Sequence, residues 1–189
     1  MSIPTRADAL ALLNELITKE SLKKHSLCVE SVMRHYARMA GEDEEVWGIA
    51  GLIHDLDYEK YPDQHCYITV GLLRERNWPE EYINAVLSHA WGICTDQAPT
   101  TRLEKTLYTV DELAGFVVAC VLVRPSKSIN DLEAPSVMKK WRQKDFAATV
   151  DRTVVERGAQ LLGSTVEEIT KEVILALRGD AKELGLAGT

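Results

Sequence analysis

The chain has 189 residues, 46% of them apolar and 27% charged, which fits one globular domain with a sizeable core and excludes a disordered or collagen-like chain. Its formal net charge of −7, from 22 basic and 29 acidic side chains, offers no basic face for sequence-independent binding of nucleic-acid phosphates, so a nucleic-acid polymer is not an expected partner. No apolar run is long enough to span a bilayer, and "MSIPTRADAL" lacks the pattern of a secretion signal, so a cytoplasmic protein with no membrane partner is expected.

Apolar residues recur at helical spacing nearly throughout, and no period-2 stretch competes with them, which predicts an all-α fold. A first helix is expected from Thr5 to Lys19, and a second from a Ser21 cap to Gly41. "EDEEVWGIAGLIHDLD" reads as a third, with its acidic residues at the positive end of the helix dipole. Pro62 and Asp63 signal a further helix start, placing His65 in a first turn that runs on toward Asn77. Pro79 opens a helix ending near Trp91, "GICTDQAPTT" reads as a loop, and "RLEKTLYTVDELAGFVVACVLVR" as a long helix stopped before Pro125. Beyond the loop "PSKSINDLEAP" come a short basic helix "SVMKKWRQK", one from Asp145 to Leu162, and a last one opening on a capping box at Ser164. The tail "GDAKELGLAGT" is expected to fray. Cys28, Cys66, Cys94 and Cys120 form no CxxC pair and read as reduced, buried thiols.

Helical register tests each polar residue, because neighbours on one face fall at i+3, i+4, i+7 and i+11. His25 lies in line with Cys28, Val29, Val32 and Tyr36 and so points inward, whereas His35 sits on the flank of that stripe. His54 follows Gly48, Ala50 and Gly51. Two mid-helix glycines cost on the order of 1 kcal/mol each, which implies close approach of another backbone or of a bound ion and substrate. His89 shares a face with Tyr82, Ala85 and Val86. Asp111 stands in line with Leu107, Ala114, Val118 and Leu122, where an unpaired buried carboxylate calls for a cation. Taken singly, each histidine could bond a carbonyl and each aspartate could cap a helix. Five inward-facing positions (His25, His54, Asp55, His89 and Asp111) on four helices suit a divalent ion such as iron, manganese or zinc. His65, near a helix N-terminus that favours its neutral form, is a sixth candidate.

Together these residues resemble the ordered H…HD…D signature of the HD-domain superfamily of metal-dependent phosphohydrolases, with His25, His54-Asp55 and Asp111 in the signature positions. The resemblance covers Ser21 to Arg124 by motif, and "VRPSKSINDLEAPSVMKKWRQKDFAATVDR" resembles the downstream part of uncharacterised predicted hydrolases of that superfamily. It implies an all-α HD-domain helical bundle with extra C-terminal helices: a single domain, residues 1–189, with a metal-site core at about 21–124 and an extension at about 125–189. It also implies one or two divalent ions, iron or manganese ahead of magnesium, zinc or nickel. His25, His54, Asp55 and Asp111 would hold one ion, and Asp55, His65 and His89 the other, with Asp55 as the bridge. Ala90 stands where the cyclic-dinucleotide branch has a second histidine, and the GYP signature is absent, so cyclic di-GMP is disfavoured. The HD pair continues as Leu56-Asp57 in place of the Ile-Gly of the HDIG pattern, and no lysine follows within three residues to serve as an acid.

The activity so implied is hydrolysis of a phosphate ester or anhydride in a small phosphorylated molecule, a nucleotide first, with Asp55 and His54 as catalytic residues. Arg124, Lys127, Lys139 and Lys140 could grip phosphate or could form a solvated basic surface. Two other readings share the same ligands: a di-iron oxygenase cleaving C–C or C–P bonds, and a ligand-binding module without turnover.

Overall fold

Helical periodicity is realised throughout: the described residues, 4–188 of a computed structural model, contain nine α-helices and no strand. The chain forms two compact units, Met1–Tyr108 and Thr109–Thr189. Residues 1–3, and Thr189 at the end of the expected tail, lie outside the described residues. None of the described helices is long and apolar enough to cross a membrane.

In the first unit, α1 (Arg6–Leu16) opens on a capping box between Thr5 and Asp8. Helix α2 (Glu20–Ala40) ends on Gly41 in the left-handed conformation, and α3 (Glu44–Ile53) is capped by the Asp43 carboxylate. A 3-10 turn, Pro62–Gln64, precedes α4 (Tyr67–Glu75), and α5 (Glu80–His89) follows Pro79. Helix α3 lies against α1, α2 and α5, and α4 against α5. Its residues Ile49, Ala50, Leu52 and Ile53 are almost fully buried, as are Val29, Val32 and Met33 of α2.

The glycines of α3 have a structural explanation. A Cβ on Gly51 would stand 2.9 Å from the Glu30 backbone nitrogen and 3.1 Å from the Val29 carbonyl carbon, and one on Gly48 would collide with the Arg34 side chain. Room is made for α2, which brings its backbone onto α3 one turn from His54. The same crossing carries a charge network. Arg6 grips both carboxylate oxygens of Glu30 at 2.5 and 2.9 Å, and Arg34 donates to Glu30 at 2.9 Å and to Glu45 at 2.7 Å. Buried Glu30 thereby joins α1 to α2, and Arg34 continues the chain to α3.

The long helix α6 (Arg102–Leu122) begins in the first unit and continues in the second. The second unit adds α7 (Ala134–Trp141), α8 (Arg152–Leu161) and α9 (Val166–Gly179), with Phe116, Val117, Val137, Val155, Val173 and Leu177 at its core. Helix α9 packs on both α7 and α8.

Several boundaries differ from expectation for identifiable reasons. Helix α2 starts before Ser21, with Lys19 at the cap position. Residues before Arg152 do not continue α8, because the Arg152 guanidinium collects the carbonyls of Trp141, Gln143 and Phe146 at 2.6–3.0 Å and lies over the Phe116 and Trp141 rings. The cap of α9 is Thr165, paired with Glu168, one residue beyond Ser164. Nor does the tail fray: the Leu186 side chain is fully buried, its carbonyl accepts from the Ile129 N–H at 2.8 Å, and the Ser128 hydroxyl donates to the Ala187 carbonyl.

Two glycine substitutions separate packing from propensity. Gly51→Ala forces α2 away from α3 and is expected to destabilise by about 2 kcal/mol. Gly71→Ala, where a Cβ would enter open space on α4, is expected to stabilise by up to about 1 kcal/mol. Urea unfolding of both variants checks the contrast.

Candidate metal centre

The end of α3 delivers the site. After Ile53 the chain leaves the helix in tight turns, with the Asp55 carbonyl accepting from Tyr58 and the Asp57 carbonyl from Lys60 and Tyr61. His54 is fully buried, and Asp55 faces a cluster of four imidazoles.

Each oxygen of Asp55 meets a different pair of rings. Oδ2 lies 4.0 Å from His25 Nε2 on α2 and 3.5 Å from His54 Nε2. Oδ1 lies 3.3 Å from His65 Nε2 and 3.4 Å from His89 Nε2, at the end of α5. The His65 and His89 Nε2 atoms are themselves 3.2 Å apart. Ligand atoms of His25, His54 and Asp55 fall within 4.8 Å of one another, as do those of His65, Cys66 and His89.

Three rings are fixed from behind through Nδ1. His54 Nδ1 donates to the Gly51 carbonyl at 2.8 Å, His89 Nδ1 to the Val86 carbonyl at 2.6 Å, and His65 Nδ1 to the Asp57 carboxylate at 2.8 Å. A carbonyl accepts only, so in His54 and His89 the hydrogen sits on Nδ1, and the Nε2 lone pair points toward Asp55. The His54 and His89 lone pairs, the His65 ring and a carboxylate converge at 3.2–3.5 Å, a convergence that calls for positive charge among them. This donor set fits a divalent ion, in the arrangement by which metal-binding histidines are ordinarily oriented.

Asp57 is the functional residue that sequence reasoning missed. It is 2% exposed, and besides His65 Nδ1–H it accepts the backbone N–H groups of Cys66 at 3.2 Å and Thr69 at 2.8 Å. One carboxylate thus orients a ring and caps α4. The available signal was an acidic residue at the second position after an HD pair, directly following the apolar Leu56.

Two expectations about His65 are corrected. It precedes α4, with extended ψ of 141°, and Cys66 then adopts a left-handed φ of 72° before the helix begins. Nor is the ring held neutral by a helix dipole. Burial works against its charged form, but the hydrogen bonds to Asp57 and Cys66 and the nearby Asp55 charge raise its pKa to about 9 in the ion-free protein. Burial likewise opposes the charge on Asp57, yet the hydrogen bonds from His65, Thr69 and Cys66 hold its pKa below the usual carboxylate range.

Cys66 stands at the flank of the cluster. Its sulfur is 4.0 Å from His89 Nδ1, the nitrogen already bonded to Val86, and burial pushes its thiol pKa up. Cys28, Cys66 and Cys120 are free and buried, while Cys94 is half-buried.

The remaining candidates lie in the second unit. Asp111, on α6, is half-buried, and of its expected inward stripe Val118 is half-buried and Leu122 exposed. The helix turns that face partly to solvent, so the argument from a fully buried charge does not hold for Asp111. Arg124, Lys139 and Lys140 line a cleft of about 410 Å³ with Cys120, Val123 and Leu132. Lys127 is absent from that lining and occupies a turn with φ of 47°. Arg124 bonds the Asp131 carboxylate and carbonyl, and Lys140 lies over the Phe146 ring.

Residues 22–115 match the family model described as HD domain, a span that takes in His25, the His54-Asp55 pair, His65, His89 and Asp111. The comparisons with curated proteins and with solved structures gave no match.

The His65 environment has a pH signature. A folded pKa of about 9, above the ordinary 6.5, means that this group's stabilisation is fully present below pH 6.5 and is lost as pH rises through 9. In ion-free protein, unfolding free energy is expected to decline over that window, and Asp57→Asn should flatten the decline. Urea titrations at a series of pH values, with the His65 ring followed by NMR, provide the check.

Proposed function

We propose that this chain, which belongs to the HD-domain superfamily, is a metal-dependent phosphohydrolase acting on a phosphate ester or anhydride of a small molecule, a nucleotide before others. Metal-dependent phosphohydrolases are the activity typical of the HD domain. The observation that carries the reading is the Asp55 carboxylate, each of whose oxygens faces its own pair of imidazole Nε2 atoms.

His25, His54 and Asp55 would hold one divalent ion and Asp55, His65 and His89 a second, with iron or manganese suited to a mixed imidazole and carboxylate set. Bound there, such ions would supply Lewis acidity, lowering the pKa of a water and neutralising charge that builds on phosphoryl oxygens. The protein's own contribution is orientation and proton control. Gly51 and Val86 fix the tautomers of His54 and His89, and Asp57 keeps a hydrogen on Nδ1 of His65, so that Nε2 is the basic atom in each ring. Asp55 supplies negative charge to both halves of the cluster. The carboxylate of Asp57, being buried and committed to three donors, serves the site only through His65.

Protein loaded with manganese or iron is expected to release phosphate or a nucleoside monophosphate from at least one member of a broad nucleotide panel. Asp55→Ala should lose both bound metal and turnover. Retained turnover in that variant, or oxygen consumption by iron-loaded protein without phosphate release, would overturn the hydrolase reading; the second result would point to the oxygenase.

A further inference from the structure

The turn that carries His54 and Asp55 ends in a second anchor, on residues the proposed chemistry does not use. Glu59 accepts the backbone N–H of Thr18 at 2.8 Å, that of Lys19 at 3.0 Å, and the Thr18 hydroxyl. These groups are the start of α2, whose cap residue Lys19 makes no side-chain capping bond of its own. Next to Glu59, Lys60 Nζ donates to the Glu15 carbonyl at 3.4 Å, in the last turn of α1. An anion therefore sits at the positive end of α2 and a cation at the negative end of α1. The hydrogen bonds from Thr18 and Lys19 bring the Glu59 pKa to about 2, so the anchor stays ionised across ordinary working pH.

This clamp has a partner on the other side of the site. Gly51 lets the backbone of α2 approach α3 closely at Val29 and Glu30, and Glu59 bonds the backbone of Thr18 and Lys19 just ahead of α2. Asp55 lies four residues from each anchor point on its own segment, and His25 lies between the two anchor points on α2. The pair whose separation is 4.0 Å is thus bracketed by two attachments. The Glu30 network fixes α2 on the far side of His25, and Glu59 ties the near side, ahead of His25, to the segment that carries Asp55.

We propose that Glu59 is a positioning residue that sets His25 against Asp55 and thereby tunes ion affinity at the His25, His54, Asp55 half of the cluster. The inference rests on the metal-binding reading above for its consequence, and on the clamp geometry for its cause.

The test compares wild type, Glu59→Ala, Glu59→Gln, Thr18→Val and Thr165→Ala. The last removes the capping box of α9 in the second unit and controls for loss of stability through a missing cap. Affinity for Mn²⁺ and for Zn²⁺, each alone, is measured by chelator competition, and the His25 and His89 ring resonances are followed by NMR in ion-free protein. Glu59→Ala should weaken ion binding by about tenfold, the scale found for residues that orient ligands. It should shift His25 while leaving His89 in place; Glu59→Gln and Thr18→Val should do the same to a smaller degree and stand in if Glu59→Ala does not fold. Thr165→Ala should lower thermal stability with neither effect. Wild-type affinity in the Glu59 variants, or an unmoved His25 resonance, would overturn the proposal and leave Glu59 a helix cap only. A wild type that binds no ion would instead defeat the metal-binding reading, while the His25 resonance still decides the positioning role.

Discussion

Seven residues, His54 to Lys60, must be held between the starts of two other helices, and the rest of the site follows from that constraint. Short turns of this kind have little intrinsic stability. Here the chain is pinned by long-range hydrogen bonds from side chains to backbone: Asp57 takes the first amides of α4, and Glu59 those ahead of α2. Each bond satisfies a helix terminus that would otherwise need water or a local cap, so the fold gains two ends of helices while the turn gains a fixed shape. Asp55, ahead of both in the turn, is left with its carboxylate toward the imidazoles.

The turn concentrates ionisable groups where solvent is scarce. Asp55 and Asp57 are both largely withdrawn from solvent, in a chain that already carries net negative charge, and four imidazoles surround one of them. In the ion-free protein the raised pKa of His65 places a proton in the cluster at neutral pH. Close packing holds this concentration of charge in place: the Gly51 crossing, the buried Glu30 network and the capped helix starts position the segments that carry the rings. Local rules are broken at the site and observed elsewhere, the usual pattern where a protein holds a reactive group.

Apolar periodicity makes much of this legible in the sequence. The nine helices follow from apolar spacing, and the inward registers of His54 and His89 match their near-complete burial. What periodicity could not carry was any bond between a side chain and a distant backbone group. Asp57 and Glu59 look like ordinary solvated acids in sequence; Arg152, which unwinds the segment before α8 by gathering its carbonyls, looks like a surface base. Leu186 reads as part of a polar tail because its partner, Ile129, lies far away in the chain. The stripe through Asp111 is fully buried at Leu107 and Ala114 but ends in Leu122, which is exposed. An apolar stripe says which face a helix buries on average, and the average conceals where the covering ends.

The carboxylates of the turn occupy alternate positions, 55, 57 and 59, and each has a different task. A loop is commonly the part of a protein where lineages gain and lose residues freely. This one cannot drift that way: inserting or deleting a single residue would hand each carboxylate its neighbour's surroundings, leaving a helix start uncapped and the imidazoles without their anion. The length of the turn after the HD pair is therefore constrained by three different sets of partners at once, those of Asp55, Asp57 and Glu59.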